Sequence, residues 1–168
     1  MENLTTTIDD FRTFYKPNKK SVTTSFEPII TKVLGIMQSS LDNANVDLLY
    51  NYYSNEEMEM YDSEMMQVIL NIFKNAQDNF KEKKIQNPKI TITTGGKMLS
   101  ICDNGGGIPN EILEKIFDPY FSTKNEKNGT GLGLYMSKTI IEEHHNGTLR
   151  AVNVDDGVCF KINLTKEK

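Results

Sequence analysis

Two asparagines one helical turn apart, Asn71 and Asn75, lie in the stretch Met65–Phe80, where apolar residues recur at helical spacing. A pair of amides on one side of a helix can offer oxygen to a hard cation such as Mg2+, whose other ligands are phosphate oxygens and water. Asparagine is a mediocre helix former, so two at the rim of an apolar face need a reason; a solvated or capping role is the plainer alternative. Further on, Asp103-Asn-Gly-Gly-Gly107 follows the alternating run Met98–Cys102. A carboxylate at a strand end can accept a hydrogen bond from an exocyclic amine such as that of adenine. The glycines behind it permit positive φ and close backbone approach. A polar turn that merely ends a strand is the alternative. A third signal, Gly129-Thr-Gly-Leu-Gly133, opens another helical pattern. Its free N–H groups suit phosphate, and a hinge under a lid is an equal reading. Between the second and third signals, Phe117, Pro119, Tyr120 and Phe121 precede Ser122-Thr-Lys124. The aromatics anchor the loop to the core, and Lys124, with Lys127, would reach a terminal phosphate when such a lid closes.

The exclusions are as informative. No Gly-Lys-Ser/Thr follows the Asp103 glycines, so they are not a P-loop, and the irregular segment before Gly129 is not the strand a dinucleotide fingerprint requires. A formal net charge of -4 carries no overall bias toward nucleic acid. The lysine clusters at Lys16–Lys20 and Lys81–Lys84 read as solvated surface. Cys102 and Cys159 have no metal or redox spacing and lie in apolar strand patterns, so they are expected to be buried thiols of a reducing compartment. No apolar run approaches the roughly 20 residues of a membrane span. The only histidines, His144 and His145, close a helical pattern, where a charge partner for the helix C-terminus is expected.

The elements that would position these residues follow from periodicity. Leu4, Ile8, Phe11 and Tyr15 form one stripe of a short helix that Pro17 ends. The stripe is too short to stand alone; it is either a dimer seam or an amphipathic surface helix. Val22–Phe26 reads as a strand, and Ile29–Leu41 as a helix with an exit at Asn43 and Asn45. Val46–Tyr53 reads as a strand and 54–59 as a polar loop. Asp62 is the expected N-cap of the helix that carries Asn71 and Asn75, with Lys74, Gln77 and Lys81 toward solvent. Lys89–Thr94 and Met98–Cys102 form a hairpin around Gly95-Gly96, and Glu111–Ile116 a short helix. Leu132–Glu143 forms a helix, and Thr148–Val154 with Val158–Leu164 a closing hairpin. Helices mixed with antiparallel hairpins predict an α+β fold: a two-layer sandwich with a mixed, mostly antiparallel sheet covered on one face by helices.

The ordered set Asn71–Asn75, Asp103–Gly107, Phe117–Lys124 and Gly129–Gly133 resembles the N, G1, F and G2 boxes of sensor histidine kinases. The likeness runs from about Val22 to Leu164 and implies the Bergerat fold of that family's catalytic and ATP-binding domain, over residues 17–168. Residues 1–16 look like the end of a dimerisation and phosphotransfer helix. By the resemblance Asn75 would bind Mg2+ and Asp103 the adenine amine, with Gly105, Gly107, Ile108, Phe121, Thr130, Gly131, Leu132 and Gly133 around ATP. Asn71, near the phosphates, and Lys124 would be catalytic. Gyrase-type ATPases have a general-base glutamate where this chain has Asn71, and an amide cannot take a proton from water, so slow hydrolysis is expected. A phosphoacceptor histidine motif is absent. The chain is therefore expected to be a catalytic module that phosphorylates a histidine on another segment, in a phosphorelay with a phosphotransfer domain and a response regulator. The resemblance implies a cytoplasmic segment whose parent is membrane-anchored or not, and a homodimer if the N-terminal stripe is a seam. The rivals are a serine kinase of the anti-sigma-factor type on the same fold and a non-catalytic nucleotide-binding module.

Overall fold

Alternation along five strands builds the platform. The computed structural model describes residues 20–53, 56–119 and 133–165. In it β2 (Asp47–Tyr52), β4 (Lys89–Gly95), β5 (Met98–Asp103), β6 (Thr148–Val154) and β7 (Gly157–Asn163) form one sheet in the order β2-β4-β5-β7-β6. The pair β2/β4 is parallel and the others are antiparallel. Side chains alternate between the faces of a strand. Ile90, Ile92, Leu99, Ile101, Val158, Phe160 and Ile162 therefore share one buried face. Asp103 has the parity of Leu99 and Ile101, so the same alternation points its carboxylate into the helix-covered side, level with Ile90 and Val158.

Two long helices cover that face. In α1 (Phe26–Asn43), Phe26, Ile29, Ile30, Val33, Leu34, Met37 and Leu41 are buried. In α2 (Asp62–Glu82), Met65, Val68, Ile69, Ile72, Phe73, Ala76 and Phe80 are buried. Steps of three and four residues place each set on one stripe, and burial of each large apolar side chain contributes about 1.5–3 kcal/mol. Both helices end in a left-handed residue, Asn45 (φ 56°) and Lys84 (φ 52°). The next N–H reaches back into the helix in each case, Val46 to the Leu41 carbonyl and Ile85 to the Phe80 carbonyl, both at 3.0 Å. A short helix α3 (Asn110–Leu113) follows the Asp103 loop. The helix α4 (Gly133–Thr139) continues into a wider π turn, Ile140–His144.

Several expectations change. Within the stretch read as a polar loop, Met58–Met60 is a strand, β3, paired antiparallel with β1 (Val22–Thr24) in a separate two-stranded sheet. Asp62 is the first helical residue and Tyr61 holds the N-cap position. The β4/β5 turn is Gly96-Lys97, one residue later than expected, with Gly96 at φ 58°. Gln77 is buried, because α1 packs over it: its amide nitrogen donates to Ser40 Oγ at 3.0 Å. The cysteines are not free thiols. Cys102 and Cys159 are register partners on adjacent strands, with Cα atoms 4.0 Å apart, and form a disulfide. Their separation of 57 residues hides this from any local spacing rule, and only the β5/β7 pairing brings them together. The N-terminal stripe, and with it the expected division at residues 1–16, lies outside the described residues.

Candidate functional site

The polar edge of α2 carries the site. Asn71, Asn75 and Asn79 recur every fourth residue, so they line one side of the helix. At about 1.5 Å rise per residue the edge runs about 12 Å from Asn71 to Asn79. Each end touches a different glycine segment. At the Asn79 end, a Cβ built on Gly105 would lie 3.2 Å from Asn79 Cβ and 3.1 Å from Asp103 Oδ1, so only glycine lets the loop lie this close to the helix. At the Asn71 end, the amide nitrogen donates to the Gly133 carbonyl at 3.3 Å and to Ser137 Oγ at 3.2 Å.

Asp103 is buried, and Oδ1 accepts the Gly105 N–H at 2.8 Å. Burial pushes its carboxyl above the usual range, opposed by the Gly105 N–H, the Lys83 ammonium and the Val158 N–H, while Asp156 adds to the rise. Lys83 Nζ also donates to the Gly107 carbonyl at 3.1 Å, tying the end of α2 to the loop. Gly106 (φ 96°) and Gly107 (φ 65°) lie where side chains are strained.

The closing hairpin clamps the same loop. Gly106 N–H donates to the Asp156 carbonyl at 2.9 Å. The Asn153 amide acts as a splint along the backbone: Oδ1 accepts the Ile108 N–H at 2.8 Å and Nδ2 donates to the Ile108 carbonyl at 2.6 Å. A Cβ on Gly157 would fall on the Asp103 carbonyl oxygen, with its carbon 2.6 Å away. Sequence reasoning missed Asn153, Ser137 and Lys83. Asn153 is an ordinary polar residue in an alternating strand, and no local signal marks it.

Of the expected site residues, the structure gathers Asn71, Asn75, Asp103, Gly105, Gly107, Ile108 and Gly133 around α2 and the strand ends beside it. Phe121, Lys124, Thr130, Gly131 and Leu132 lie outside the described residues. Of the two histidines, His145 departs from the expected role of a helix-end charge. His144 Nδ1 lies 2.9 Å from the buried Glu64 carboxylate. His145 Nδ1 donates to the Ile140 carbonyl at 2.8 Å and Nε2 accepts the Tyr61 N–H at 3.0 Å. Burial lowers the His145 pKa below its ordinary value of 6.5.

Fold and site together define an α+β sandwich with a polar helix edge, flanked by glycine loops, whose groups suit a nucleotide. Residues 61–168 match the family model described as "Histidine kinase-, DNA gyrase B-, and HSP90-like ATPase". The two-component sensor PprA of Pseudomonas aeruginosa is 35% identical over 108 residues, covering 60% of this chain and 12% of that protein. The signal transduction histidine-protein kinase AtoS of Escherichia coli is 33% identical over 143 residues, covering 83% of this chain and 23% of that one. Among solved structures, the catalytic domain of the histidine kinase ThkA superposes with a TM-score of 0.74 at 30% identity, over 85% of this chain and 95% of that one. ThkA in complex with the response regulator protein TrrA is also similar, with a TM-score of 0.73 at 25% identity over 99% of this chain and 49% of that one. The chain belongs to this ATPase family, on its sensor histidine kinase branch, with the fold of a histidine kinase catalytic domain. It spans less than a quarter of the length of PprA or AtoS. Among the described residues no helix is long and apolar enough to cross a membrane.

Proposed function

We propose that this chain holds Mg2+-ATP along the asparagine edge of α2 and directs its terminal phosphoryl group to a histidine on another protein segment. The observation that carries the reading is the placement of a buried carboxylate, Asp103, at one end of that edge and of Gly133 at the other. A nucleoside triphosphate has a base at one end and phosphates at the other, which matches this polarity. Asp103 accepts backbone N–H groups from Gly105 and Val158. An ionised carboxylate offers about four acceptor positions, so capacity remains for an adenine amine.

The donor set also fits Mg2+. Among the described residues no group of three or more His, Cys, Asp or Glu gathers to cage a metal. Mg2+ needs no such cage when phosphates and water complete its shell, and the amide oxygen of Asn75 is a suitable hard ligand. When bound, the ion would neutralise charge on the phosphate oxygens. Asn75 would hold it, Asn71 would face the phosphates, and Gly105, Gly107 and Ile108 would shape the base end. Phe121, Thr130, Gly131 and Leu132 would complete the nucleotide site, and Lys124 would stabilise charge on the transferred group.

The acceptor imidazole comes from elsewhere. Both ring nitrogens of His145 are engaged inside the chain, and His144 Nδ1 is paired with Glu64. Protein positioning and charge neutralisation would then do most of the catalysis, on the cytoplasmic side where ATP is available, with a response regulator receiving the phosphoryl group downstream. Titration calorimetry with a non-hydrolysable ATP analogue, with and without Mg2+, tests the pocket. Asp103→Ala should lose about tenfold to a hundredfold in affinity, as expected for a hydrogen bond to a charged group. A wild-type chain that binds no nucleotide would overturn the reading. An acid-labile phosphoryl group on a supplied phosphotransfer domain identifies histidine as the acceptor, and an acid-stable one identifies serine.

A further inference from the structure

The strongest unassigned constellation is the small polar knot between α2 and the first turn of α4. Ser137 is 0% exposed. Its hydroxyl donates to the Gly133 carbonyl, one turn earlier, at 2.8 Å. A serine has one proton, and here the Gly133 carbonyl takes it. Toward Asn71, then, Ser137 Oγ presents only lone pairs. The Gly133 carbonyl is an acceptor by nature. Asn71 therefore faces two acceptors at 3.2 and 3.3 Å, and only the nitrogen end of its amide can meet both. The usual ambiguity between amide oxygen and nitrogen is removed by chemistry: the two acceptors lie 2.8 Å apart and share one N–H of Asn71 in a three-centre bond, and the amide oxygen faces away from this pair of acceptors.

We infer that Ser137 is a positioning residue that fixes the Asn71 amide with its oxygen available to the phosphate and metal end of the nucleotide. This rests on the proposed nucleotide reading for the identity of the partner, and on the hydrogen-bond geometry alone for the orientation. Asn75 lies one turn along the same edge, so the freed Asn71 oxygen acts on the same hydrated cation or its phosphate ligands. The same knot couples α4 to α2. The residue that begins α4, Gly133, touches Asn71 face on, with an ideal Cβ 3.7 Å from the amide carbon, nitrogen and oxygen alike. A shift of Gly133 on nucleotide binding would thus be felt at Asn71, with Ser137 as the third corner.

Two readouts on the full chain test this separately. In nuclear magnetic resonance, the Asn71 side-chain amide of the nucleotide-free wild type should show one proton protected from exchange, the one shared by Ser137 and Gly133. In Ser137→Ala that proton keeps only the Gly133 carbonyl and should exchange faster. In calorimetry, Ser137→Ala should keep the metal-free nucleotide affinity and lose about three- to tenfold of the gain that Mg2+ confers, the range of one net hydrogen bond. If the Asn71 amide signals are unchanged in Ser137→Ala, the orientation role is wrong. If metal-free and Mg2+-dependent affinities fall together, Ser137 is only a packing residue and the proposal fails. Should Ser137→Ala not fold, Ser137→Cys keeps the shape with a weaker donor and acceptor, and should shift both readouts in the same direction by less. A wild type that binds no nucleotide removes the proposed function, while the resonance experiment still decides the orientation.

Discussion

Tyr61 N–H points at His145 Nε2, and a proton on that nitrogen would set two donors against each other. Burial makes the folded chain prefer neutral imidazole and lowers the folded pKa from 6.5, the direction this contact also favours. A lowered folded value means that the stabilisation is fully present above 6.5 and is lost as pH falls through the lower folded value. Thermal melts from about pH 7 down to pH 5 should show wild type losing stability more steeply than His145→Gln, which has no proton to gain; equal slopes would contradict the assignment. What the residues themselves disclosed follows the same chemistry. Asn71, Asn75 and Asp103 stand out in the sequence because each is an odd residue for its local pattern. His145 was misread because a helix-end histidine suggests charge, whereas here the chain uses the neutral ring as donor and acceptor at once. Ser137 and Asn153 are ordinary in sequence, and their roles arise only from neighbours distant in the chain.

Among the elements, the two long helices were read well because three-and-four spacing is sustained over many turns, and Asn45 did mark the exit of α1 by adopting a left-handed conformation. The short strand β3 escaped because three residues, Met-Glu-Met, carry too little alternation to outweigh polar neighbours. The π turn escaped because nothing local distinguishes it from the helix it extends. Two glycines separate the needs of different elements. Gly35 lies in the interior of α1, where a new Cβ meets nothing within 4 Å. Gly35→Ala should raise stability by about 1 kcal/mol, the helix propensity gain. Gly157 begins β7 against the Asp103 backbone, so Gly157→Ala should lower stability by at least the roughly 1–3 kcal/mol typical of overpacking and weaken nucleotide binding with it. Urea unfolding of both variants checks the signs; a neutral Gly157→Ala would show that the strand-to-loop contact is not constrained as described.

At the scale of the whole molecule, strand order was the part that sequence left open. Hairpins β4/β5 and β6/β7 are local, but the insertion of β7 between β5 and β6 is a tertiary fact. The disulfide depends on it. Linking residues 57 apart limits the unfolded chain, and loop-entropy reasoning gives about 4 kcal/mol for a loop of this length. Reduction should therefore lower the urea midpoint, and Cys159→Ser should match the reduced wild type. Nucleotide affinity under folding conditions should be unchanged, because alternation puts the disulfide on the sheet face opposite the Asp103 side chain. A midpoint indifferent to reductant would show that the bridge adds nothing in solution.

The clamp on the Asp103 loop has a consequence for the order of events during synthesis. Asn153, Asp156 and Gly157 hold a loop whose own residues precede them by about fifty positions. A chain emerging from the ribosome would thus display Asn71, Asn75 and Asp103 well before the strands that clamp the Asp103 loop have left the exit tunnel. The loop is held by β6 and β7, of which β7 docks on β5 and leaves β6 at the edge of the sheet. Molecules cut before Thr148 would consequently lack the contacts that hold the Asp103 loop.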